Sequence, residues 1–319
     1  MRFKTTLVTG GAGFIGSHIV DELLSRGARV IVYDNFTTGR REFLPENNQN
    51  LQIVKGDVLD TASLQAAMKG CDFVFHMQAN ADVRGGKDKP KVDLDQNTIA
   101  TWSALEAARI QNVKGFAFAS SSAVYGEPEI FPTPETYAPR QTSLYGASKL
   151  AGEAMIQAYS EYYDIRSYSF RFVSWMGERY THGIVFDVLK KLRQDSTRLP
   201  LFGDGSQRKS YLYVKDGVSG IMQAIEKSAD LKNVYNLGHD NFLTVVEVVR
   251  VILDELKMPD VKLEFAGGKR GWVGDSPLVH LDTTLIKSLG WQPKTAIEES
   301  VRRTVRYLKE NPKLLESRI

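Results

Sequence analysis

Tyr145 and Lys149 stand four residues apart in the run Tyr145-Gly146-Ala147-Ser148-Lys149. On a helix that spacing puts a phenol and an ammonium on one face. A phenol with a pKa of about 10 is a poor base at neutral pH, and a neighbouring cation favours its phenolate. At ~4 Å and an effective dielectric of ~20 the attraction is roughly 4 kcal/mol, which corresponds to about three pKa units. The spacing therefore predicts a proton acceptor, Tyr145, activated by Lys149. Three hydroxyls, Ser120, Ser121 and Ser122, follow the apolar run 116–119. One of them can hydrogen-bond a reacting hydroxyl and pass its proton toward Tyr145.

A second cluster lies near the start of the chain. Gly10, Gly13 and Gly16, with Phe14 and Ile15 between the last two, follow a β-branched run and open a helical pattern. Such a loop lets a pyrophosphate approach backbone N–H groups at the positive end of a helix. Asp34 ends the next apolar run, where a carboxylate can accept both hydroxyls of an adenosine ribose and would repel a 2′-phosphate. NAD is thereby favoured over NADP, although Arg40 and Arg41 stand close in sequence. Asp57 and Val58 are placed to meet the adenine ring, and Asp57 also reads as a helix N-cap.

The elements that must hold these groups follow from periodicity. Short apolar runs at 7–9, 29–33, 51–54, 72–75, 116–119 and 166–173 read as buried strands. Helical spacing covers 14–26, 95–109 and 144–163. Strands alternating with helices predict an α/β fold, a Rossmann-like doubly wound parallel sheet. After residue 173 the rhythm loosens. Helices are expected at 184–192, 214–229 and 296–309, with one strand at 233–238. The expected organisation is a Rossmann domain over 1–173, rejoined by 214–240. A smaller interleaved substrate lobe takes 174–213 and 241–319.

Composition narrows the function classes. The 319 residues are 42% hydrophobic and 25% charged, which argues for a folded globular chain. Forty-one Lys and Arg against 38 Asp and Glu leave +3, too balanced a charge to argue for nucleic acid. Cys71 is the only cysteine, so no intrachain disulfide or multi-cysteine metal site forms, and a reducing compartment is expected. No run reaches the roughly 18 apolar residues of a membrane helix. Residues 1–8, interrupted by Thr and running into the glycine loop, do not read as a leader. A cytoplasmic protein without a metal centre is expected.

Taken together, these motifs resemble those of the extended short-chain dehydrogenase/reductases, and specifically nucleotide-sugar epimerases of the UDP-galactose 4-epimerase type. The carrying residues are the glycine loop with Ser17 and His18, Asp34-Asn35, Gly56-Asp57, Ser121 with Tyr125 and Gly126, and Tyr145 with Lys149. Later come Phe202-Gly203-Asp204-Gly205, Tyr211 to Val214, Arg270, Gly274-Asp275 and Leu289-Gly290-Trp291-Gln292-Pro293. The resemblance implies Ser121, Tyr145 and Lys149 as catalytic residues, with Ser122 as the fallback hydroxyl. It implies an NAD site that also includes Asn35, Gly39, Met77, Gln78, Ala79, Asn97, Phe172 and Val173. In the lobe, Phe202 would pack on uracil, Arg208 or Lys209 together with Arg270 would clamp the diphosphate, and Asp275 would bind the uridine ribose. Ser174 and Val279 complete the substrate set.

Departures from the family pattern matter as much. Gln78 stands where a small residue is usual, and Ser174 where Asn is common. Lys209-Ser210-Tyr211 replaces the usual Arg-Asp-Tyr. Val279 stands where a Tyr often narrows the sugar pocket, so an N-acetyl sugar finds room. Related sugar dehydratases carry an Asp-Glu pair after the catalytic hydroxyl, where this chain has Ser122 and Ala123. The expected activity is NAD-dependent epimerisation of a UDP-sugar at C4 through a 4-keto intermediate. Epimerisation at C2, another nucleotide sugar, and a non-catalytic NAD sensor remain open. A homodimer is expected through the helices at 95–109 and 144–163, with Ile99, Trp102 and Leu105 as the candidate apolar stripe.

Overall fold

Apolar and β-branched residues at the front of the chain build strands buried on both faces, except the edge strand at 51–55. β1 (Thr5–Thr9), β2 (Arg29–Asp34), β3 (Leu51–Lys55), β4 (Phe73–His76), β5 (Gly115–Ser121) and β6 (Arg166–Phe172) alternate with α1 (Phe14–Ser25), α2 (Thr61–Ala67), α3 (Pro90–Asp93), α4 (Ala100–Ile110) and α5 (Leu144–Tyr163). This computed structural model describes residues 4–316. The first residues of the 1–8 segment and the last of the expected lobe, 317–319, lie outside the described residues.

The second half adds β7 (Ser174–Met176), α6 (Ile184–Gln194), β8 (Arg198–Leu201), β9 (Arg208–Lys209), β10 (Tyr211–Tyr213), α7 (Val214–Lys227) and β11 (Lys232–Leu237). β12 (Leu243–Thr244), α8 (Val245–Leu256), β13 (Lys262–Phe265), β14 (Leu278–Val279), α9 (Thr284–Ser288) and α10 (Ile297–Glu310) follow. The main sheet runs β11-β6-β5-β4-β1-β2-β3. Each neighbouring pair is parallel, for example Val8 opposite Val32 and Phe75 opposite Ala117. β11 pairs with β6 from Lys232↔Ser167 to Leu237↔Phe172, so the chain returns to the main sheet after β7 to β10. Two apolar cores lie on the two faces of the sheet. One joins α1 residues such as Ile19 and Leu23 to Ile221 and Ile225 of α7. The other joins Leu64, Ala104, Leu105 and Ile156 from α2, α4 and α5.

Strand order reverses between β1 and β4, with β2 on one side and β5 on the other. Ligands of doubly wound sheets bind at the carboxyl ends of the strands beside such a switch point. The ends of β1, β4 and β5 carry Gly10, Met77-Gln78 and Ser121, so the topology gathers the groups singled out above.

The helix expected at 95–109 is not one regular helix. Pro90, whose missing N–H costs nothing in a first turn, opens α3. A π-helical stretch, Leu94–Ile99, then leads into α4. Such widened turns recur at functional sites, and this one carries Asn97. α5 matches its expected span of 144–163. Its start is set by Ser143, whose hydroxyl accepts from the Gly146 N–H at 3.1 Å. Its end is set by Asp164 in the left-handed region, φ 52°. The proposed apolar stripe splits. Leu105 is buried in the core, whereas Ile99 and Trp102 are 40% and 43% exposed. Helical spacing alone does not tell a sheet-facing residue from an outward one when both faces carry apolar side chains.

Candidate active site

The glycine loop is shaped by contacts no side chain would allow. Gly10 has φ +64°, and a Cβ there would lie 2.8 Å from the backbone of Gln78. At Gly16 a Cβ would overlap the carbonyl oxygen of Gly10, so helix and loop touch backbone to backbone. Gly13 is the N-cap of α1 and offers no side chain to the first-turn N–H groups. Those donors face a cradle without Cβ atoms, bordered by Phe14 and Ile15, which suits an anionic diphosphate.

Asp34 ends β2 and is buried. Its Oδ2 accepts from the Ala12 N–H at 2.9 Å and its Oδ1 from the Phe36 N–H at 2.8 Å. Burial pushes its carboxyl up, and these two backbone donors pull it back down. Each oxygen keeps a free lone-pair direction for a ribose hydroxyl. Gly39 leaves that space open, because a Cβ there would lie 2.7 Å from Asp34 Oδ1. The nearby cations are engaged elsewhere. Arg40 pairs with Glu42 at 3.2 Å, and Arg41 donates to the Leu44 carbonyl at 3.0 Å. Asn35 Nδ2 donates to Asp57 Oδ2 at 3.1 Å, and Val58 is buried beside Tyr33. Asp57 is not the helix cap that its sequence position allowed. Its Oδ1 accepts from the Leu59 N–H, and Asp60 caps α2 through the Ser63 N–H. The offset is one tight turn longer than expected.

Across the switch point, Met77, Gln78 and Ala79 follow β4. Gln78 Nε2 donates to the backbone and side-chain oxygens of Gln96 at 3.1 and 2.9 Å. Its own Oε1 is buried without a partner, an orphaned acceptor beside the cradle. Asn97 is buried, its Oδ1 accepting from the Asn80 N–H at 2.9 Å and its Nδ2 donating to Ser148 Oγ at 3.0 Å. Phe172 and Val173 are buried at the end of β6. The glycine cradle, the Asp34 carboxylate and the orphaned Gln78 oxygen together fit a dinucleotide.

Tyr145 and Lys149 occupy the first turns of α5, facing the end of β5. The Ser121 side chain favours ionisation of the Tyr145 phenol, and Ser121 Oγ accepts from the Ala123 N–H at 3.1 Å. Ser122 opens the adjoining 3-10 turn. Lys149 is only 1% exposed. Its Nζ donates to the Ala119 carbonyl at 2.8 Å and lies 5.9 Å from the Tyr145 ring centre. The expected activation of Tyr145 by Lys149 is not what this geometry gives by itself. Burial pushes the Tyr145 phenol up to about 12, against the pull of the Ser121 hydrogen bond, and Asp93 pushes it further the same way. Burial also drives Lys149 down to about 7, opposed by Asp93 and Glu153. Taking a phenolate out of water costs more than one partly discharged ammonium returns.

In the lobe, Lys209 Nζ donates to Asp275 Oδ1 at 2.6 Å and also to the Ser276 carbonyl. The second Asp275 oxygen accepts from the Gly271 N–H at 3.0 Å. The groups assigned to diphosphate and ribose are thus paired with each other. Arg270 is paired with Glu127, and Arg208 lies 5.4 Å over the Phe242 ring. Val279 is in register with Lys209 across β9 and β14. Ser174 is exposed at the start of β7. Phe202 is half exposed, with Lys191 Nζ 4.8 Å from its ring centre.

Sequence reasoning missed several participants. Arg84, in the loop after β4, lies 5.9 Å from the Phe202 ring and 5.8 Å from that of Trp272, two residues of the second half of the chain. Arg171 on β6 holds Glu153 of α5 at 2.7 Å, both side chains under a tenth exposed. Ser120, next to Ser121, donates to the same Glu153. Glu153 could have been found as the next position on the helix face after Tyr145 and Lys149. Asp93, at the end of α3, is 1% exposed and has no sequence signal beyond a lone carboxylate.

The comparisons agree with the fold. The profile of the NAD dependent epimerase/dehydratase family matches residues 6–238. A putative UDP-glucose 4-epimerase from Methanocaldococcus jannaschii is 32% identical over 318 residues, covering 96% of this chain and 98% of that protein. The crystal structure of a UDP-galactose 4-epimerase superposes with a TM-score of 0.87 at 35% identity, over 96% of this chain and 99% of that one. The UDP-glucose 4-epimerase of Thermus thermophilus in complex with NAD superposes with a TM-score of 0.84 at 31% identity, over 96% and 99% of the two chains. With the family's model matching residues 6–238 and relatives above 30% identity along almost the whole chain, the chain belongs to the NAD dependent epimerase/dehydratase family.

Proposed function

We propose that this enzyme interconverts UDP-sugars at C4, with UDP-glucose and UDP-galactose as the primary pair. The observation that carries the reading is Lys149, buried one turn behind Tyr145 and bonded to the Ala119 carbonyl two residues before Ser121 at the carboxyl edge of the sheet. The names of the relatives at 31–35% identity favour the same substrate class. Gly10, Gly13 and Gly16 would hold the pyrophosphate of NAD and Asp34 its adenosine ribose. Gln78, Asn97 and Lys149 would border the nicotinamide end. When bound, NAD supplies the hydride acceptor and donor and a positive charge that favours a phenolate.

This chain's own residues then handle the proton. Ser121 holds the C4 hydroxyl against Tyr145 and bridges its proton to the phenol oxygen. Lys149 keeps a positive charge behind the phenol during that transfer. In the return half the same phenol gives the proton back. The 4-keto sugar must present its other face, so the binding energy belongs at the nucleotide end, remote from C4. Phe202 would stack on the uracil. Lys209 and Arg270 would exchange Asp275 and Glu127 for the diphosphate, which frees Asp275 for the ribose. Ser122 and Ala123 follow Ser121, so the acid pair of a dehydratase is missing from that position. Val279, smaller than Tyr, leaves room for the N-acetyl sugars. Purified enzyme incubated with plain and N-acetylated UDP-sugars, with products separated chromatographically, should show C4 inversion. Inversion at C2 alone would replace this reading.

We further propose a homodimer through the outer faces of the π-helical segment, α4 and α5. Ile99, Trp102, Tyr162 and Tyr163 are all at least 40% exposed there, a grouping of large apolar side chains that favours a partner. Light scattering should give twice the 35.7 kDa chain mass. A monomer at micromolar concentration would refute the pairing. Among the described residues no helix is long and apolar enough to cross a membrane.

A further inference from the structure

Asp93 is a charged group buried beside the catalytic pair and used by no step above. Its Oδ1 accepts from Asn80 Nδ2 at 2.9 Å and from Asn97 Nδ2 at 3.3 Å. Asn97 in turn donates to Ser148 Oγ, and Ser148 donates to the Tyr145 carbonyl at 2.8 Å. One hydrogen-bonded chain thus runs from Asp93 to the backbone of the proposed base. The other oxygen, Oδ2, is buried with no hydrogen-bond partner among the described residues. A buried carboxyl with an unsatisfied oxygen takes up a proton unless a countercharge near it keeps it ionised. Two cations are comparably buried, Lys149 and Arg171. Arg171 is committed to Glu153, which leaves Lys149, on the helix that packs against α3.

We propose that Asp93 is a positioning residue of this site, one oxygen fixing the Asn97–Ser148 link to Tyr145 while its charge holds Lys149 in the ammonium form. The inference rests on the reading of Tyr145 and Lys149 as the proton-handling pair. The other charged and titratable groups around them are Glu153 on α5, paired with Arg171 and raising Lys149 as Asp93 does, His76 on β4 and Asp82 in the loop after β4. Burial and Lys149 keep His76 neutral at working pH, its pKa lowered to about 3. Burial raises the Asp93 carboxyl; the Asn80 hydrogen bond lowers it, Asp82 raises it and Lys149 lowers it. Asp93 in turn raises both Lys149 and Tyr145. The sign follows: without the Asp93 charge, Lys149 loses its proton at lower pH and Tyr145 ionises at lower pH. Both limbs of the rate profile then move the same way.

The test is the pH dependence of kcat/KM for the wild type, Asp93→Asn and Asn80→Ala. Asp93→Asn removes the charge and keeps an oxygen for Asn80 and Asn97. Its whole profile should move to lower pH by about one unit, the lower end of a single close charge's effect. Asn80→Ala removes one hydrogen bond and leaves the charge. It should lower the rate without moving either midpoint. Unmoved midpoints in Asp93→Asn, or equal shifts in both variants, would overturn the proposal. If Asp93→Asn does not fold, infrared titration of Lys149→Met decides. Its buried carboxyl band should titrate at higher pH than in the wild type, and an unchanged band refutes the coupling. Wild-type enzyme inactive on every UDP-sugar would refute the proposed function instead, and the infrared comparison would still test Asp93.

Discussion

Tyr145→Phe should lower turnover of UDP-galactose by at least about 10²–10⁴-fold, the usual contribution of a positioned acid–base group. The substitution removes the phenol oxygen and keeps the ring. Lys149 keeps its bond to the Ala119 carbonyl, and Ser121 keeps the Ala123 N–H. Substrate affinity should therefore change little, because the proposed contacts of the nucleotide end, Phe202, Lys209 and Arg270, are left as they are. Burial holds the phenol up at about 12 and lowers Lys149 to about 7, so the wild-type rate profile should have two limbs, one for each group. Tyr145→Phe should lose the limb that belongs to the phenol. Steady-state kinetics across pH check both parts. A variant that retains a tenth of the wild-type kcat would remove Tyr145 from the proton path.

The second large effect is on stability. Glu153→Ala should cost about 3–5 kcal/mol, the usual result of stranding one member of a buried ion pair. Arg171 would keep its bonds to the Tyr125 hydroxyl at 2.9 Å and to the Glu135 carbonyl at 2.8 Å. Its charge would lose the carboxylate that three of its contacts serve. Ser120 would lose its acceptor as well. The loss reaches the site because Ser120 precedes Ser121 and Glu153 lies one turn beyond Lys149. Equilibrium denaturation by urea checks it. A loss below about 1 kcal/mol would mean that water or Tyr125 takes over the guanidinium, a surface-like value for the pair.

Much of this architecture is legible in the order of residues because one physical rule dominates each segment. Strands buried on both faces are continuous apolar runs, and helices between them keep a 3.6-residue period. That is why α5 is read at 144–163 and β11 is expected back near the main domain. The glycine loop is legible for another reason. Gly10 and Gly16 are required by close backbone approach, so their spacing survives as a pattern. What is not legible depends on contacts between distant segments. The π-helical turn at 94–99 and the outward direction of Trp102 are settled by packing against α5. Arg84 and Arg171 each act through a partner more than 15 residues away, Asp93 is held by Asn80 and Asn97 on either side of it, and none belongs to a local motif. The electrostatics of Tyr145 is the sharpest case. Spacing alone argues for a lowered phenol pKa, and only burial, which spacing cannot show, reverses the sign.

The most direct test of the central claim is epimerisation of UDP-galactose in deuterium oxide, followed by mass and proton spectra of the product. A hydride that leaves C4 and returns to the same carbon never exchanges with solvent. The account predicts UDP-glucose with no carbon-bound deuterium, and Tyr145→Phe with no product in the same time. Deuterium at C4 or on a neighbouring carbon, or no UDP-glucose from the wild-type enzyme, would contradict it.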